Sequence, residues 1–328
     1  MDPDIAKRLF DEGGTFVLLD VPVGTEFGID MNTWNVGDKF RGVKMIPPGL
    51  HFIYYSAVSK EGSTAPRTGF FHWFEKEEVL ARFYSAKDEE ITDRRATEDE
   101  LERFKANKKE MDTFLGVYPY ESWKQWVSIT NHISKKLLER IQPLCVTIAS
   151  ASNLVRREEQ EENIVGEPSE RKRHKGSGSA TREEDLMSHL ICAPGTEIRW
   201  SQILGELQFA FVCFLVAHVY DSFERWKRLI DVICRSEKAL HDHPGFFMDF
   251  MTVLHFQIKL VPQDFFADIV SNNNFLIDAL RKFFPNVEEE GSDALVKRAK
   301  KFKEHLQDKF EWDFEEENED DQPVVVDL

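Results

Sequence analysis

The sequence predicts an α+β chain: a β-rich N-terminal sandwich or barrel-like domain closed by helices, followed by an all-α C-terminal domain. Three observations predict it. Short apolar runs separated by Gly and Pro occupy the first hundred residues, as is typical of antiparallel strands. Apolar residues then recur at helical spacing from about residue 97. A charged, Gly/Ser-rich stretch separates two parts of the chain, and a length of 328 residues is typical of about two domains.

Four apolar segments support the strand prediction. Each is rich in aromatic or β-branched residues and is bounded by Gly, Pro or charged residues, as buried strands are. The segments are 15–22, 50–58, 67–75 and 78–85. Their short length and close spacing favour an antiparallel sandwich or barrel.

Two helices are expected to close this domain. Thr97 and Glu100 form a capping-box pattern at the start of the first helix, which Gly116 would end. Its apolar residues at helical spacing are Leu101, Phe104, Met111 and Leu115. The second helix would run from residue 120 to a stop at Pro143. Its apolar face comprises Trp123, Trp126, Ile129 and Ile133.

Composition sets the predicted domain boundaries. Residues 1–154 form the N-terminal domain. Residues 155–195 form a charged linker, too poor in apolar residues to offset its chain entropy, so we expect it to be disordered. Residues 196–314 form the helical domain, as a bundle or solenoid-like layer, and 315–328 an acidic tail. The helical segments are 209–240, 245–260, 262–272, 273–284 and 292–310.

Charge and cysteine spacing restrict the class of protein. With 42 Lys and Arg against 59 Asp and Glu, the net charge of −17 disfavours bulk binding to a phosphate backbone. The four cysteines are far apart, which predicts reduced, mostly buried thiols of a cytosolic or nuclear protein. The first residues lack the apolar core of a signal peptide, and the longest apolar run (209–220) is too short to span a bilayer. We therefore expect a soluble intracellular protein.

Catalytic and metal-binding motifs are absent from the sequence. It has no phosphate-binding loop, no dinucleotide fingerprint and no H-E-x-x-H motif. The nearest metal candidate is the pair His241 and His243, which at i, i+2 do not share a helix face, so a capping or surface role is favoured. We predict that the protein is not an enzyme and has no cofactor.

Two basic features stand out against the acidic background. The first is a compact linker cluster that would suit a nuclear-import signal or a nucleic-acid contact, or would be a solvated balance to nearby acids. Its residues are Arg171, Lys172, Arg173 and Lys175. The second lies on the last predicted helix, whose core-facing residues are Leu295, Ala299, Phe302, Leu306 and Phe310.

The outer face of that last helix is strongly cationic. Its residues are Lys297, Arg298, Lys300, Lys301 and Lys303. Three roles are open for this face: solubility, contact with the acidic segment 315–321 just beyond it, or RNA binding. The chain then ends in the acidic run, Pro323 and three valines. These are Val324, Val325 and Val326, and they favour a strand that pairs with a partner or with the chain's own sheet.

Several long segments resemble one known family. They are "GTEFGIDMNTWNVGDKFRGVKMIPPGLHF", "YPYESWKQWVSITNHIS", "LGELQFAFVCFLVAHVYDSFERWKRL" and the end "KFEWDF…PVVVDL". In these segments the chain resembles the AAR-two (alpha-two-repression) splicing-factor family, across both predicted domains and the tail. The resemblance implies a β-rich N-terminal domain, a linker and a VHS-like helical C-terminal domain.

The resemblance also implies a function. Members of the family are non-enzymatic factors of pre-mRNA splicing that chaperone assembly of the U-five small nuclear ribonucleoprotein. They bind the Prp-eight scaffold through its RNase-H-like and Jab-one/MPN domains, exclude the helicase and U-four/U-six RNA, and leave on phosphorylation. We expect a monomer located in cytoplasm and nucleus, without direct nucleic-acid or membrane contact. Val324, Val325 and Val326 would add as a strand between the two scaffold domains.

The regulatory site and one segment do not map directly onto the family pattern. Exposed linker candidates for phosphorylation are Ser169, Ser177, Ser179 and Thr181, the last being followed by two acids. Between "GTEIRWSQI" and "LGELQFAF" the family carries a longer segment with an extra amphipathic helix, whereas here Ile203 is followed directly by Leu204. The first helix of the C-terminal domain is the element most affected by this difference.

Overall fold

The structure, a computed structural model, describes residues 3–59, 62–141, 148–149, 200–261 and 274–314. The chain divides into two compact units, one comprising 1–170 with 211–222 and the other 171–210 with 223–328. Strands occupy the first part of the chain and helices the last, so the predicted fold class is confirmed. The predicted linker 155–195 lies outside the described residues.

The described part of the first unit contains ten strands in two five-stranded sheets. They are β1 (Gly14–Leu19), β2 (Glu26–Ile29), β3 (Asn32–Asn35), β4 (Gly42–Ile46), β5 (Gly49–Ser56), β6 (Thr68–Phe74), β7 (Val79–Ser85), β8 (Glu90–Ile91), β9 (Leu115–Val117) and β10 (Ile148–Ala149). One sheet has the order β8-β7-β1-β4-β9 and the other β10-β6-β5-β2-β3. Four of these strands, β1, β5, β6 and β7, are the four predicted segments.

The two sheets enclose one hydrophobic core. Phe16 and Val43 from the first sheet and Phe27, Ile53 and Phe74 from the second belong to the same buried cluster. Phe16 stacks on Phe27 with ring centroids 5.9 Å apart. The architecture is therefore a sandwich, because side chains of both inner faces fill the space between the sheets.

Strand direction departs from the prediction in one of the sheets. Every pair in the sheet β10-β6-β5-β2-β3 is antiparallel, as predicted. In the other sheet β1 pairs with β7, and β4 with β9, in parallel. The purely antiparallel prediction is wrong for this sheet. Parallel neighbours need a long crossover, and spacing between adjacent segments does not reveal which distant strands will pair.

The first predicted closing helix is shorter than its apolar spacing indicated. The capping box is confirmed, since the Thr97 side chain accepts from the Glu100 N–H and Glu100 accepts from the Thr97 N–H. However, helix α2 (Glu98–Ala106) ends at Asn107, a 3₁₀ turn follows, and residues 115–117 are strand β9. The prediction of one helix to Gly116 is wrong because pairing with β4 outweighs local helical periodicity.

The second predicted closing helix is two helices. They are α3 (Tyr120–Ser128) and α4 (Lys135–Ile141), joined by a turn. Trp126 is buried and donates its indole N–H to the Leu50 carbonyl at 2.7 Å, but Trp123 is partly exposed, so the predicted apolar face is only partly right. Pro143 lies outside the described residues. Helix α1 (Pro3–Glu12) was not predicted.

From residue 200 onward, the described residues form six helices. They are α5 (Trp200–Leu215), α6 (Tyr220–Cys234), α7 (Glu237–Asp242), α8 (Pro244–Ile258), α9 (Phe275–Glu290) and α10 (Asp293–Phe310). The predicted continuous helix over 209–240 is wrong, since it breaks after Leu215 and His218 adopts a left-handed backbone. Helix α9 also runs past the expected end at residue 284 and contains Pro285. Predicted segment 262–272 lies outside the described residues.

Aromatic side chains fill the core of the helical unit. Trp226 is fully buried and donates its indole N–H to Gln257 Oε1 at 2.9 Å. Phe247 and Phe250 both contact Phe283 of α9. Cys213 and Cys234 are free and buried, as predicted for reduced thiols. None of the described helices combines the length and apolar character that a bilayer span requires.

Candidate functional site

The last helix, α10, carries its apolar and cationic residues on different faces. Four of the five residues predicted to face the core are buried: Leu295, Ala299, Phe302 and Leu306. The fifth, Phe310, is only partly buried and stacks on Trp312 just beyond the helix end, with centroids 5.1 Å apart. The core-facing prediction is therefore wrong for Phe310, because the chain beyond the helix covers it in place of the helical core.

The cationic face is exposed to solvent as expected, except at Lys303, which is only partly exposed. Lys297, Arg298, Lys300 and Lys301 all have exposed side chains. Arg298 donates to the Thr252 hydroxyl of α8 at 3.1 Å. Within the part of the chain that the structure describes, Lys297, Lys300 and Lys301 make no ion pair. These three ammonium groups are available for an anionic ligand.

The chain reverses direction immediately after α10. Glu311 adopts a left-handed backbone with φ of 57° and donates its N–H to the Gln307 carbonyl at 3.0 Å. Phe314 is buried, and its ring lies 5.1 Å from that of Phe284 on α9. The Arg281 guanidinium donates to the Asp313 carbonyl at 3.2 Å. The last described residue is thus anchored on helix α9.

A groove lies between α9 and α10 beside this anchor. We call it the C-terminal groove; its volume is about 230 Å³. Phe284, Val296 and Ala299 provide its apolar lining. Its charged lining residues are Lys300, Lys303, Glu288 and Glu304. Phe284 lines this groove and also contacts Phe314, so the last described residue of the chain lies next to the groove lining.

A histidine pair lies on the other side of α10, against α8. The rings of His255 and His305 are 4.8 Å apart. Burial lowers the pKa of His255 to about 4, with further lowering by the charges of Lys259, His305, Lys309 and Arg298. His255 is therefore neutral at pH 7 in a cationic environment.

The depressed pKa of His255 predicts acid sensitivity of the helical unit. In the unfolded chain the imidazole titrates near pH 6.5, so on acidification it takes up its proton before the folded form does. The contribution of neutral His255 to the free energy of unfolding is fully present above pH 6.5. It is lost as the pH falls towards about 4. Because the side chain is partly exposed, solvent screening reduces the expected loss to about 1 kcal/mol.

Urea unfolding between pH 7 and 4.5 checks this expectation. His255→Gln should flatten the fall in stability across this window. His241→Gln is the matched control, because the His241 side chain is 80% exposed. Equal pH dependence in His255→Gln and the unmodified chain would contradict the assignment.

A buried polar cluster joins three elements of the sandwich unit. The Asp30 carboxylate accepts from the Tyr118 hydroxyl at 2.6 Å and from the Phe52 N–H at 2.9 Å, and it contacts His51 Nδ1 at 2.7 Å. The other His51 nitrogen lies 2.7 Å from the Pro47 carbonyl. Burial, followed by the charge of Asp30, raises the pKa of Tyr118. All three side chains are almost fully buried, so the cluster is structural.

No short motif pointed to this cluster. Its members are separated by 21 to 88 positions along the chain. The sequence held one weak signal, the residue type itself: Asp30 adopts a positive φ of 55° in the structure, a conformation that Asp and Asn tolerate better than most residues. Such a position in a turn is compatible with many surface sites, so it would not have revealed the buried partners.

The histidines singled out as a weak metal candidate have separate environments. The ring of His243 lies 4.0 Å from that of Trp200, whereas His241 contacts Asp242 at the surface. His243 is the N-cap residue of α8, without a side-chain capping bond. Within the described residues, no group of three or more His, Cys, Asp or Glu side chains could hold a metal ion.

Comparison with known proteins identifies the family. A model described as the AAR2 N-terminal domain matches residues 12–143, and one described as the AAR2 C-terminal repeat region matches 152–315. The chain belongs to the AAR2 family. The family resemblance of the sequence is confirmed.

Relatives from distant organisms align along most of this AAR2-family chain. The Protein AAR2 homolog of Homo sapiens is 41% identical over 375 residues, covering 100% of this chain and 97% of the relative. The homolog of Caenorhabditis elegans is 35% identical, with 96% and 98% covered. The A1 cistron-splicing factor AAR2 of Saccharomyces cerevisiae is 23% identical, with 79% and 80% covered.

The alignment also reveals a difference in length between AAR2 relatives. The human alignment has 375 positions and this chain has 328 residues, so at least 47 positions (375 − 328) have no counterpart here. At the junction where the resemblance places a missing segment, Ile203 and Leu204 are both buried within the uninterrupted helix α5. The first described helix of the C-terminal part therefore forms without that segment.

Several predicted site residues of this AAR2-family chain lie outside the described residues. The tail residues are Val324, Val325 and Val326, and the basic linker cluster is Arg171, Lys172, Arg173 and Lys175. The phosphorylation candidates are Ser169, Ser177, Ser179 and Thr181. Their roles stay predictions.

The RNA-binding alternative depended partly on aromatic strands. RNA recognition on a sheet requires aromatic rings exposed for base stacking. Strand β5, with Phe52, Tyr54 and Tyr55, is buried along nearly its whole length. These rings offer no stacking surface, so of that hypothesis only the exposed cations of α10 remain.

Proposed function

We propose that this chain is a pre-mRNA splicing factor that acts by binding a large spliceosomal protein and not by catalysis. Membership of the AAR2 family carries the proposal, together with the yeast relative, which is named as a splicing factor. The polar clusters of the described residues are consistent with it. The Asp30 cluster is buried and closed to substrates, and the exposed cations of α10 suit recognition of a macromolecule.

The proposed partner is the Prp-eight scaffold within a precursor of the U-five particle. By family resemblance, the chain would bind the RNase-H-like and Jab-one/MPN domains and hold them until assembly proceeds, excluding the helicase and U-four/U-six RNA. Tail residues Val324, Val325 and Val326 would insert as a strand between the two domains. Main-chain hydrogen bonds would supply affinity, and alternating side chains would set the register.

The position of the tail supports this mode of binding. Phe314 is fixed on α9, and the strand residues begin ten positions later. Such a tether raises the local concentration of the strand around a partner that is already bound elsewhere on the chain. The acids between Phe314 and the valines disfavour premature pairing of this apolar segment, because like charges repel neighbouring copies.

Release by phosphorylation is part of the proposal. Ser169, Ser177, Ser179 and Thr181 are the candidates, and a phosphate adds about −2 charge. The added negative charge would repel acidic side chains of the bound partner and thereby weaken the complex. The basic cluster 171–175 would serve nuclear import in the same segment.

A proline placed in the tail tests the strand. Val325→Pro removes a backbone donor in the middle of the proposed strand, and a strand paired on both sides uses every N–H. Binding of the full chain to the joined scaffold domains is expected to weaken at least about tenfold. The measurement is a pull-down followed by isothermal calorimetry.

The matched control places the same residue just outside the strand. Gln322→Pro should bind like the unmodified chain, because position 322 precedes the valines and Pro323. Undiminished binding of Val325→Pro would refute strand insertion. Failure of the unmodified chain to bind either scaffold domain would refute the proposed partner, and salt-dependent RNA binding would then be measured.

A further inference from the structure

The route of the chain after α10 points to a second contact for the tail. The reversal at Glu311 and the packing of Phe314 on Phe284 direct the chain back along α9 and α10 instead of away from them. Phe284 lines the C-terminal groove and also contacts Phe302 of α10, with centroids 6.4 Å apart. Phe314, the last described residue, therefore packs against a residue that lines this groove.

The charges of the two partners are complementary. Six of the seven residues in segment 315–321 are Asp or Glu. Helix α10 has six Lys or Arg against three Asp or Glu, and five of the six cations lie between Lys297 and Lys303. Lys300 lines the groove and has no ion pair among the described residues. An acidic peptide in extended form suits this surface.

We propose that the acidic segment 315–321 docks in the C-terminal groove. It thereby holds the valine strand 324–326 against the helical unit until a partner protein takes it. The docking depends only on contacts within this chain. Its consequence for partner binding rests on the proposed function of the valines.

The length of the segment is sufficient. Seven extended residues reach about 23 Å. The lining residues on α10 run from Val296 to Gln307, roughly 16 Å at the helical rise per residue. The segment can therefore span the groove and leave residues 322–328 beyond it.

The contact is strong enough to form and weak enough to release. Each exposed ion pair favours the docked state by less than about fivefold, and salt screens it. The attachment to Phe314 supplies a high local concentration of the segment without a new contact. Glu288 and Glu304 at the groove oppose the acids and limit the affinity. A partner that binds the valines in a strand can therefore displace the segment.

Hydrogen exchange of the full chain tests the docking. At low salt the amides of 315–321 are expected to exchange about tenfold more slowly than in a synthetic peptide of the same sequence. The double variant Lys300→Glu/Lys303→Glu should return the exchange to the rate of the peptide. So should 0.5 M NaCl on the unmodified chain, a condition that requires no substitution.

The control variant changes an exposed lysine that does not line the groove. Lys238→Glu changes an exposed lysine of α7 away from the groove and should leave the protection unchanged. Protection that is absent in the unmodified chain, or that survives both the double variant and salt, would overturn the docking.

Scaffold binding by the same variants separates this inference from the proposed function. If the docking is right, Lys300→Glu/Lys303→Glu frees the tail and should bind the scaffold domains as tightly as the unmodified chain or more tightly. If exchange confirms the docking while Val325→Pro binds normally, the proposed strand fails and the docking remains. Weaker scaffold binding of the double variant would place the groove lysines in the partner interface and would overturn their role as a hold on the tail.

Discussion

Gly42→Ala is expected to destabilise the sandwich unit by roughly 3–5 kcal/mol, combining the cost of a left-handed backbone with that of overpacking. Gly42 has φ of 136°, and a Cβ at this position would lie 1.9 Å from the Phe16 carbonyl oxygen. That oxygen belongs to the backbone of β1, which pairs with β4 at this point, Val17 opposite Gly42. The clash can be relieved only by separating two central strands.

Gly37→Ala is the matched control. Nothing lies within 4 Å of a Cβ at position 37, and its backbone is not in the left-handed range. The change should stay within about 0.5 kcal/mol of the unmodified chain. Urea denaturation followed by far-ultraviolet circular dichroism compares the two. Equal midpoints for the two alanine variants would show that β1 and β4 approach less closely than described.

Asp30→Ala is expected to cost about 3–5 kcal/mol, because it leaves several buried polar groups without their partner. The Tyr118 hydroxyl, the Phe52 N–H and His51 Nδ1 all contact this carboxylate within 2.9 Å. None of them can reach water, since the site is almost completely buried. Alanine also tolerates the positive φ of this position less well than aspartate.

Asp30→Asn separates these contributions. Asparagine keeps the size, tolerates the left-handed backbone and retains one acceptor oxygen, so a smaller loss of roughly 1–2 kcal/mol is expected. Tyr118→Phe, which removes a single donor, should cost about 1 kcal/mol. Thermal and urea unfolding of the three variants give the order. If Asp30→Ala were no worse than Tyr118→Phe, the carboxylate would not organise the cluster.

Part of the candidate site was predictable from the sequence. The 3.6-residue period of Leu295, Ala299, Phe302 and Leu306 predicts which face of α10 is buried. The cations between these positions must then face solvent, and they are Lys297, Arg298, Lys300 and Lys301. The groove beside them was not predictable. It forms where Phe284 and Glu288, from a different helix, lie beside α10, and Phe314 from beyond the reversal at Glu311 packs on the same Phe284.

The sequence by itself determined several local elements and the family. Apolar runs bounded by turn residues specified β1, β5, β6 and β7, and the Thr97 capping box specified where α2 begins, because these signals act over a few neighbouring residues. Only the tertiary structure decided three further features. These are the parallel partners of β1 and β4, the conversion of residues 115–117 from an expected helix to a strand, and the meeting of Asp30, His51 and Tyr118. The physical reason is common to all three: the decisive contacts join residues far apart in the chain, and their pairing and burial outweigh the weak local preference of each segment.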